Sequence, residues 1–322
     1  MTPEENYYRA VEFRSPEVIP CRVSLLPATW GKHREALEEL VGRHPDIFGA
    51  HTPNEERNFE DYRGTYAVGE HVDNWGCVWK NIRGGMDALV TEFPLDDWAR
   101  FEDYEPPTSG GMPHGFMYMR LYYLRGFESF MRDLAEEPPQ LQQLVDMVLE
   151  YNMNELEERL SGDARIHYFG DDLGMQDRLP MSPEHWRKYL KPCFGRIFGR
   201  CRESGACVYL HTDGHILPII PDLIDCGVTV LNPQFRSNTL EGLIETCKGK
   251  VAVDLDLDRQ MFPFCTPDDI DEHVHEAVAG LGSPEGGLML LAECAPDVPL
   301  EIIEAICLAF EKYRFFYSGQ PL

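Results

Sequence analysis

The stretch that most limits what this chain can fold into runs from Cys207 to Gln234, CVYLHTDGHILPIIPDLIDCGVTVLNPQ, where two short apolar runs bracket one helical pattern. Cys207 to Leu210 shows no polar alternation, as expected of a strand buried on both faces. His211, Asp213 and His215 follow at once, and Gly214 marks a turn. Ile216, Ile219, Ile220, Leu223 and Ile224 then recur at spacings of three and four, the period of one helix face. Gly227 closes that helix, glycine being the common residue just past a helix end. A second apolar run, Val228 to Leu231, leads into Asn232, Pro233 and Gln234. Strand, loop, helix and strand in this order imply a parallel sheet covered on both faces, with the polar chemistry at the strand ends.

Helix starts elsewhere repeat one device: Ser or Thr, then Pro, then an acid. Thr2-Pro3-Glu4, Ser15-Pro16-Glu17, Ser182-Pro183-Glu184 and Thr266-Pro267-Asp268 all fit. The hydroxyl caps free N–H groups, Pro occupies the first helical position and the acid complements the dipole. Ser15-Pro16 is the weak case, because Pro20 follows too soon for a helix. Helices are predicted over 3–13, 31–44, 125–135, 139–160, 183–204, 267–280 and 299–317. Strands are predicted at 18–26, 116–121, 166–169, 207–210, 228–231, 251–257 and 288–291, and 90–98 leads into a linker. Residues 49–80 lack helical periodicity and form an irregular excursion or hairpin, and 105–115 is a Pro/Gly-rich linker.

Roughly eight strands, most followed by a helix, match a (β/α)8 TIM barrel. It would occupy 1–322 as one domain, with 1–50 supplying an N-terminal extension and the first strand. A doubly wound open sheet is the runner-up. The barrel is preferred because polar residues end nearly every late strand: Asp171/Asp172, His211/Asp213, Asn232/Gln234, Asp256/Asp258 and Glu293/Cys294. In a barrel those ends converge on one mouth.

The net charge of −26 argues against nucleic acid and anionic membrane surfaces as partners. No apolar run approaches the roughly 20 residues that span a bilayer. The first residues, MTPEENYYRAVEF, hold no signal-peptide core, so a cytoplasmic protein is expected. Ten scattered cysteines without a Cys-x-x-Cys pair suit reduced, buried thiols.

Among the strand-end residues, Asp171 and Asp172 are adjacent carboxylates, so one should resist ionisation and serve as a general acid. The competing reading has one of them capping the turn before Leu173-Gly174. Asn232 and Gln234 can orient a polar substrate or cofactor, or shape the loop around Pro233. Asp254, Asp256 and Asp258 alternate and so point to one side, which a barrel interior does not readily accept, so at least one belongs at the mouth. His273 and His275 lie on an acidic helix and are expected in solvent. Trp75, Trp79, Tyr118, Tyr122 and Tyr123 are expected in the core.

With these residues in view, the chain resembles the uroporphyrinogen decarboxylase superfamily, and most of all its branch of cobalamin-dependent methyltransferases. The matching stretches are DNWGCVW (73–79), LRGFESFMRDLAEEP (124–138), GDDLGMQDRLPMSPEHWRKYLKP (170–192), HTDGHILPIIPDLIDCGVTVLNPQ (211–234), LDRQMFPFCTPDDI (257–270) and GGLMLLAECAPDVP (286–299). The resemblance implies a TIM barrel with an N-terminal helical extension. It also implies methyl transfer between a small methylated molecule and a corrinoid on a separate protein, with zinc as Lewis acid. The zinc ligands of such enzymes, His-x-Cys and a distant Cys, map onto His211, Asp213 and Cys294, with Glu293 as a substitute. Asp213 stands where the pattern has Cys, a change that leaves a metal more acidic and better suited to an ether or alcohol oxygen than to a thiol. The resemblance carries over Asp258 and Gln260 as an Asp-x-Gln pair. The arginine-rich segment that holds a tetrapyrrole's carboxylates has no match, since Arg9, Arg14 and Arg22 are scattered. A metal-independent decarboxylase of a small acid, using Asp172 as proton donor, is the alternative. A silent member that binds a ligand or corrinoid partner without turnover is the third reading. A homodimer is compatible with all three.

Overall fold

The computed structural model describes residues 1–53 and 57–319. Nine strands occur among them: β1 Cys21–Leu25, β2 Gly69–Val72, β3 Val78–Asn81, β4 Leu89–Glu92, β5 Ile166–Gly170, β6 Cys207–Thr212, β7 Val230–Pro233, β8 Ala252–Asp256 and β9 Leu288–Cys294. Of these, β1 and β5 to β9 pair in parallel, and each is followed in the chain by a helix. That repeat is the α/β class expected of a barrel-type chain. The residues cluster into two compact units.

The first unit holds the chain up to Gly69, Asn81–Ala88 and the residues from Gln234 onward. Its β9 lies between β1 and β8, with Cys21 opposite Leu290 and Val253 opposite Leu288. Every residue of β8 is buried, as befits a strand covered on both faces. The helices Pro267–Leu281 and Leu300–Tyr313 pack side by side and bury Ile270, Val274, Ile303 and Phe310.

The second unit spans Glu70–Lys80 and Leu89–Pro233. Here β6 lies between β5 and β7, with Gly170 opposite His211 and His211 opposite Asn232. That register puts the polar ends of three strands side by side. Phe116, Phe169, Phe194 and Phe198 form an aromatic core with ring centroids 5.1 to 6.4 Å apart. The helical run from Pro183 to Glu203 contains a π-turn at Trp186–Leu190, just before Pro192. Proline lacks an N–H and collides with the preceding turn, and the wider turn relieves both faults.

The excursion around Trp75 is a small antiparallel sheet of β2, β3 and β4. Asp73 organises it, accepting hydrogen bonds from the N–H groups of Trp75 and Cys77, from Trp79 Nε1 at 3.0 Å and from Arg120 Nη1 at 2.9 Å. Trp75 and Tyr118 are core residues, as expected; Trp79, Tyr122 and Tyr123 are only half-buried.

One predicted strand, at 116–121, is not found, and 90–98 lies outside the parallel set. Residues 90–98 contribute β4 to the antiparallel sheet, where three of its four positions are exposed. Residues 116–121 begin the helix Tyr118–Arg125, because a distant carboxylate takes its first N–H groups. The helix predicted at 31–44 starts earlier, at Pro27, and carries Arg34 at φ 51° inside it.

Thr2, Ser182 and Thr266 cap helices as the Ser/Thr-Pro-acid pattern predicted, while Ser15 sits at φ 50° with no helix behind it. Thr266 makes a full capping box, its hydroxyl taking Asp269 N while Asp269 takes Thr266 N. Thr266→Ala should therefore cost about 1 kcal/mol. The readout is a lower urea midpoint at unchanged slope.

Candidate functional site

The strand ends of the second unit converge on His211. Its Nδ1 lies 2.6 Å from Asn232 Oδ1 on the neighbouring strand. An amide oxygen only accepts, so Nδ1 carries the hydrogen and Nε2 faces the other way. There Nε2 meets Asp213 Oδ1 at 3.4 Å and Asp172 Oδ1 at 3.8 Å. Asp172 is pinned in turn: its Oδ1 accepts the Asp213 N–H at 3.1 Å, and its Oδ2 lies 3.1 Å from His114 Nε2. The two imidazoles have ring centroids 5.5 Å apart. His114, Asp172 and His211 each offer a ligand atom within 4.8 Å of the others, the one such group found among the described residues. The cluster is open to small molecules, with side chains 46%, 27% and 27% exposed for His114, Asp172 and His211.

Glycines make this convergence possible. Gly214, at φ +84°, passes so close to Gly174 that a Cβ on it would lie 2.2 Å from Gly174 C. The loops after β5 and β6 thus touch backbone to backbone, which brings Asp172 onto the Asp213 N–H. A Cβ on Gly170 would lie 2.4 Å from His114 Nδ1, so that glycine leaves room for the His114 ring.

The electrostatics follow from the two carboxylates. Burial works against a charge on His211, but the hydrogen bond and charge of Asp213, then Asp172 and Asn232, outweigh it and raise its pKa to about 9. His114 is also raised, with burial overcome by Asp172.

Asp171 behaves differently from its neighbour. It is fully buried, and its carboxylate accepts the N–H groups of Met117, Tyr118 and Met119 at 3.1, 2.6 and 2.9 Å. It caps the helix Tyr118–Arg125 from another part of the chain. Burial drives its pKa to about 7 while the Met119 and Tyr118 N–H groups pull it back.

The remaining candidates lie in the first unit. Asp258 is clamped by Arg236 at 2.7 to 2.9 Å, accepts Gln260 N at 3.2 Å, and gives its own N–H to His273 Nε2 at 3.1 Å. His273 is therefore buried against Phe235, with ring centroids 4.4 Å apart, and not in solvent as its acidic helix suggested. Gln234 forms a β-bridge with Asp256, and its carbonyl accepts Asn238 Nδ2 at 2.9 Å. Glu293 is paired with Arg259, which also faces Asp256 at 3.7 Å, and Asp254 pairs with Arg22 at 3.2 Å. Each of the three alternating aspartates thus has an arginine, which is how buried carboxylates are tolerated. Cys294 is wholly buried; burial, with smaller contributions from Cys307, Glu293 and Asp256, holds its thiol well above the usual range.

His114 is the site residue that sequence reasoning missed. It sits in the Pro/Gly-rich linker, where no periodicity or strand end marks it. Its one signal is the following Gly115, which at φ +76° gives its N–H to Gly170 O at 2.7 Å and docks the linker on β5.

Parallel strands each followed by a helix, with polar side chains at their ends, define an α/β chain of the TIM-barrel type. The chain belongs to the uroporphyrinogen decarboxylase (URO-D) family, whose description matches residues 117–313. Among solved structures, a methyltransferase from Methanosarcina mazei shares 19% identity at a TM-score of 0.64, covering 97% of this chain and 99% of that one. At that identity the likeness concerns the fold. A dihydropteroate synthase from Yersinia pestis, solved with a sulfonamide drug complex, covers 50% of this chain and 84% of its own at 13% identity and a TM-score of 0.29, too distant to inform the site. No curated protein matches the sequence. No helix among the described residues is long and apolar enough to cross a membrane.

Two outcomes are expected. Asp171→Asn places an amide NH2 against one or two of the three N–H donors and should destabilise the fold by about 1–3 kcal/mol in a denaturant titration. His211, raised from 6.5 to about 9, gives the folded state extra protons between those values. Its stabilising contribution is complete below pH 6.5 and is lost as the pH rises through about 9. In chelator-treated protein, the difference in Tm between wild type and His211→Gln should shrink over that window.

Proposed function

We propose that this chain is a methyltransferase that moves a methyl group between a small methylated molecule, such as a methyl ether, and a corrinoid carried on a separate protein. The observation that carries this reading is the solvent-reachable cluster of two imidazoles and a carboxylate at the ends of β5 and β6. The donor set suits zinc, which accepts both ligand types. Bound zinc would polarise the substrate oxygen and share the charge that develops there.

The chain's own residues do the rest. The Asn232 contact holds the His211 ring in one tautomer and one orientation. Asp172, fixed by the Asp213 N–H, would hold the metal as a carboxylate, so the proton for the leaving oxygen would come from solvent. In the forward direction the C–O bond breaks with its electron pair left on oxygen, which takes that proton. A reduced corrinoid, when bound by its carrier, would supply the nucleophile that accepts the methyl group. Alignment of donor and acceptor accounts for most of the rate. Asn232 remains a candidate for holding the substrate's polar edge.

One observation favours the decarboxylase reading instead: without a metal, His211 keeps a proton among carboxylates, a ready donor to a carbanion. The two are separated by incubating zinc-loaded protein with cob(I)alamin and methoxyaromatic compounds. Formation of methylcobalamin is the expected result. Its absence, with carbon dioxide released from small acids by chelated protein, would replace methyl transfer with decarboxylation. Absence of both would leave a binding protein. Asp172→Asn, which replaces a charged ligand by a neutral amide, should lower turnover together with zinc affinity.

A further inference from the structure

We propose that this chain holds a divalent metal on His114, His211 and Asp172, a ligand set complete without Cys294. This deepens the methyl-transfer reading, which rests on the same cluster, by naming the ligand atoms and leaving Cys294 out. Two imidazoles and one carboxylate, with a fourth position open, form a known kind of catalytic zinc site.

The spacing supports it. Ligand atoms at about 2.0–2.2 Å from a tetrahedral zinc lie roughly 3.3–3.6 Å from one another. Here His114 Nε2 lies 3.1 Å from Asp172 Oδ2, and His211 Nε2 lies 3.8 Å from Asp172 Oδ1. Small side-chain rotations bring the three atoms onto one ion. The surroundings orient the ligands as metal sites require. His211 gives its far ring hydrogen to Asn232, which points Nε2 at the cluster. Asp172 is held by the Asp213 N–H. Asp213 itself stands beside His211 Nε2 at 3.4 Å but is not part of the three-atom group. His114 is brought in by the Gly115–Gly170 hydrogen bond and by the space that Gly170 leaves. The chemistry of the set is distinctive: with no thiolate, the ion keeps more positive charge and prefers oxygen to sulfur in its open position.

The test measures metal, not activity. Purified protein is stripped with chelator and titrated with Zn²⁺ alone, then with Co²⁺ as a spectroscopic probe. Wild type and Cys294→Ser should each bind about one zinc per chain. The cobalt form should show visible bands without the intense near-ultraviolet absorption of a thiolate ligand. His114→Ala, at a half-exposed residue that leaves the fold intact by circular dichroism, should weaken zinc binding by at least the 10–100-fold typical of losing a supporting contact. Gly170→Ala, which crowds the His114 ring, should weaken it in the same direction. Three results would overturn the proposal: no zinc bound by wild type, zinc retained by His114→Ala at wild-type affinity, or loss of zinc or of a thiolate band in Cys294→Ser. If zinc binds as described but cob(I)alamin is never methylated, the methyltransferase reading fails and this site stands.

Discussion

The second unit depends on one buried carboxylate. Asp171 leaves the end of β5 and takes three N–H groups at the start of the helix Tyr118–Arg125. Those groups have no partner within their own helix, and a buried helix start without a cap is costly. By meeting them from a strand, Asp171 fastens helix to sheet. It also frees its neighbour, because adjacent side chains on an extended backbone point to opposite sides. Asp171 faces inward to the helix and Asp172 outward to the two histidines.

The first unit solves a related problem with arginine. Three aspartates alternate along β8 and beyond, and each meets a guanidinium: Arg22 for Asp254, Arg259 for Asp256, and Arg236 for Asp258. Removing the arginine of such a pair leaves a largely buried carboxylate uncompensated. Asp258 is committed further, since its backbone N–H is spent on His273. The fixed pairs here contrast with the histidine cluster, where carboxylates face groups that can exchange a proton for a metal ion.

Much of this was legible in the residues. The parallel strands at 166–169, 207–210, 228–231, 251–257 and 288–291 were recognisable because a strand buried on both faces must be apolar without interruption. Helix starts at Thr2, Ser182 and Thr266 were equally plain, since capping is settled within four residues. The failures have one cause. Residues 116–121 look like a strand by composition, yet fold as a helix because Asp171, far away in the chain, supplies the cap. His273 looks solvated on its helix, yet is buried by Asp258 and Phe235.

The sequence by itself determined the order of strands and helices, the parallel pairing that this order demands, and the placing of polar residues at strand ends. These follow from periodicity and local capping, which act over a few residues. Only the tertiary structure decided that Asp171 serves the fold while Asp172 faces the cluster, and that His114 arrives from a linker to complete it. Hydrogen bonds and ion pairs join groups by their distance in space, and a sequence records only their distance along the chain.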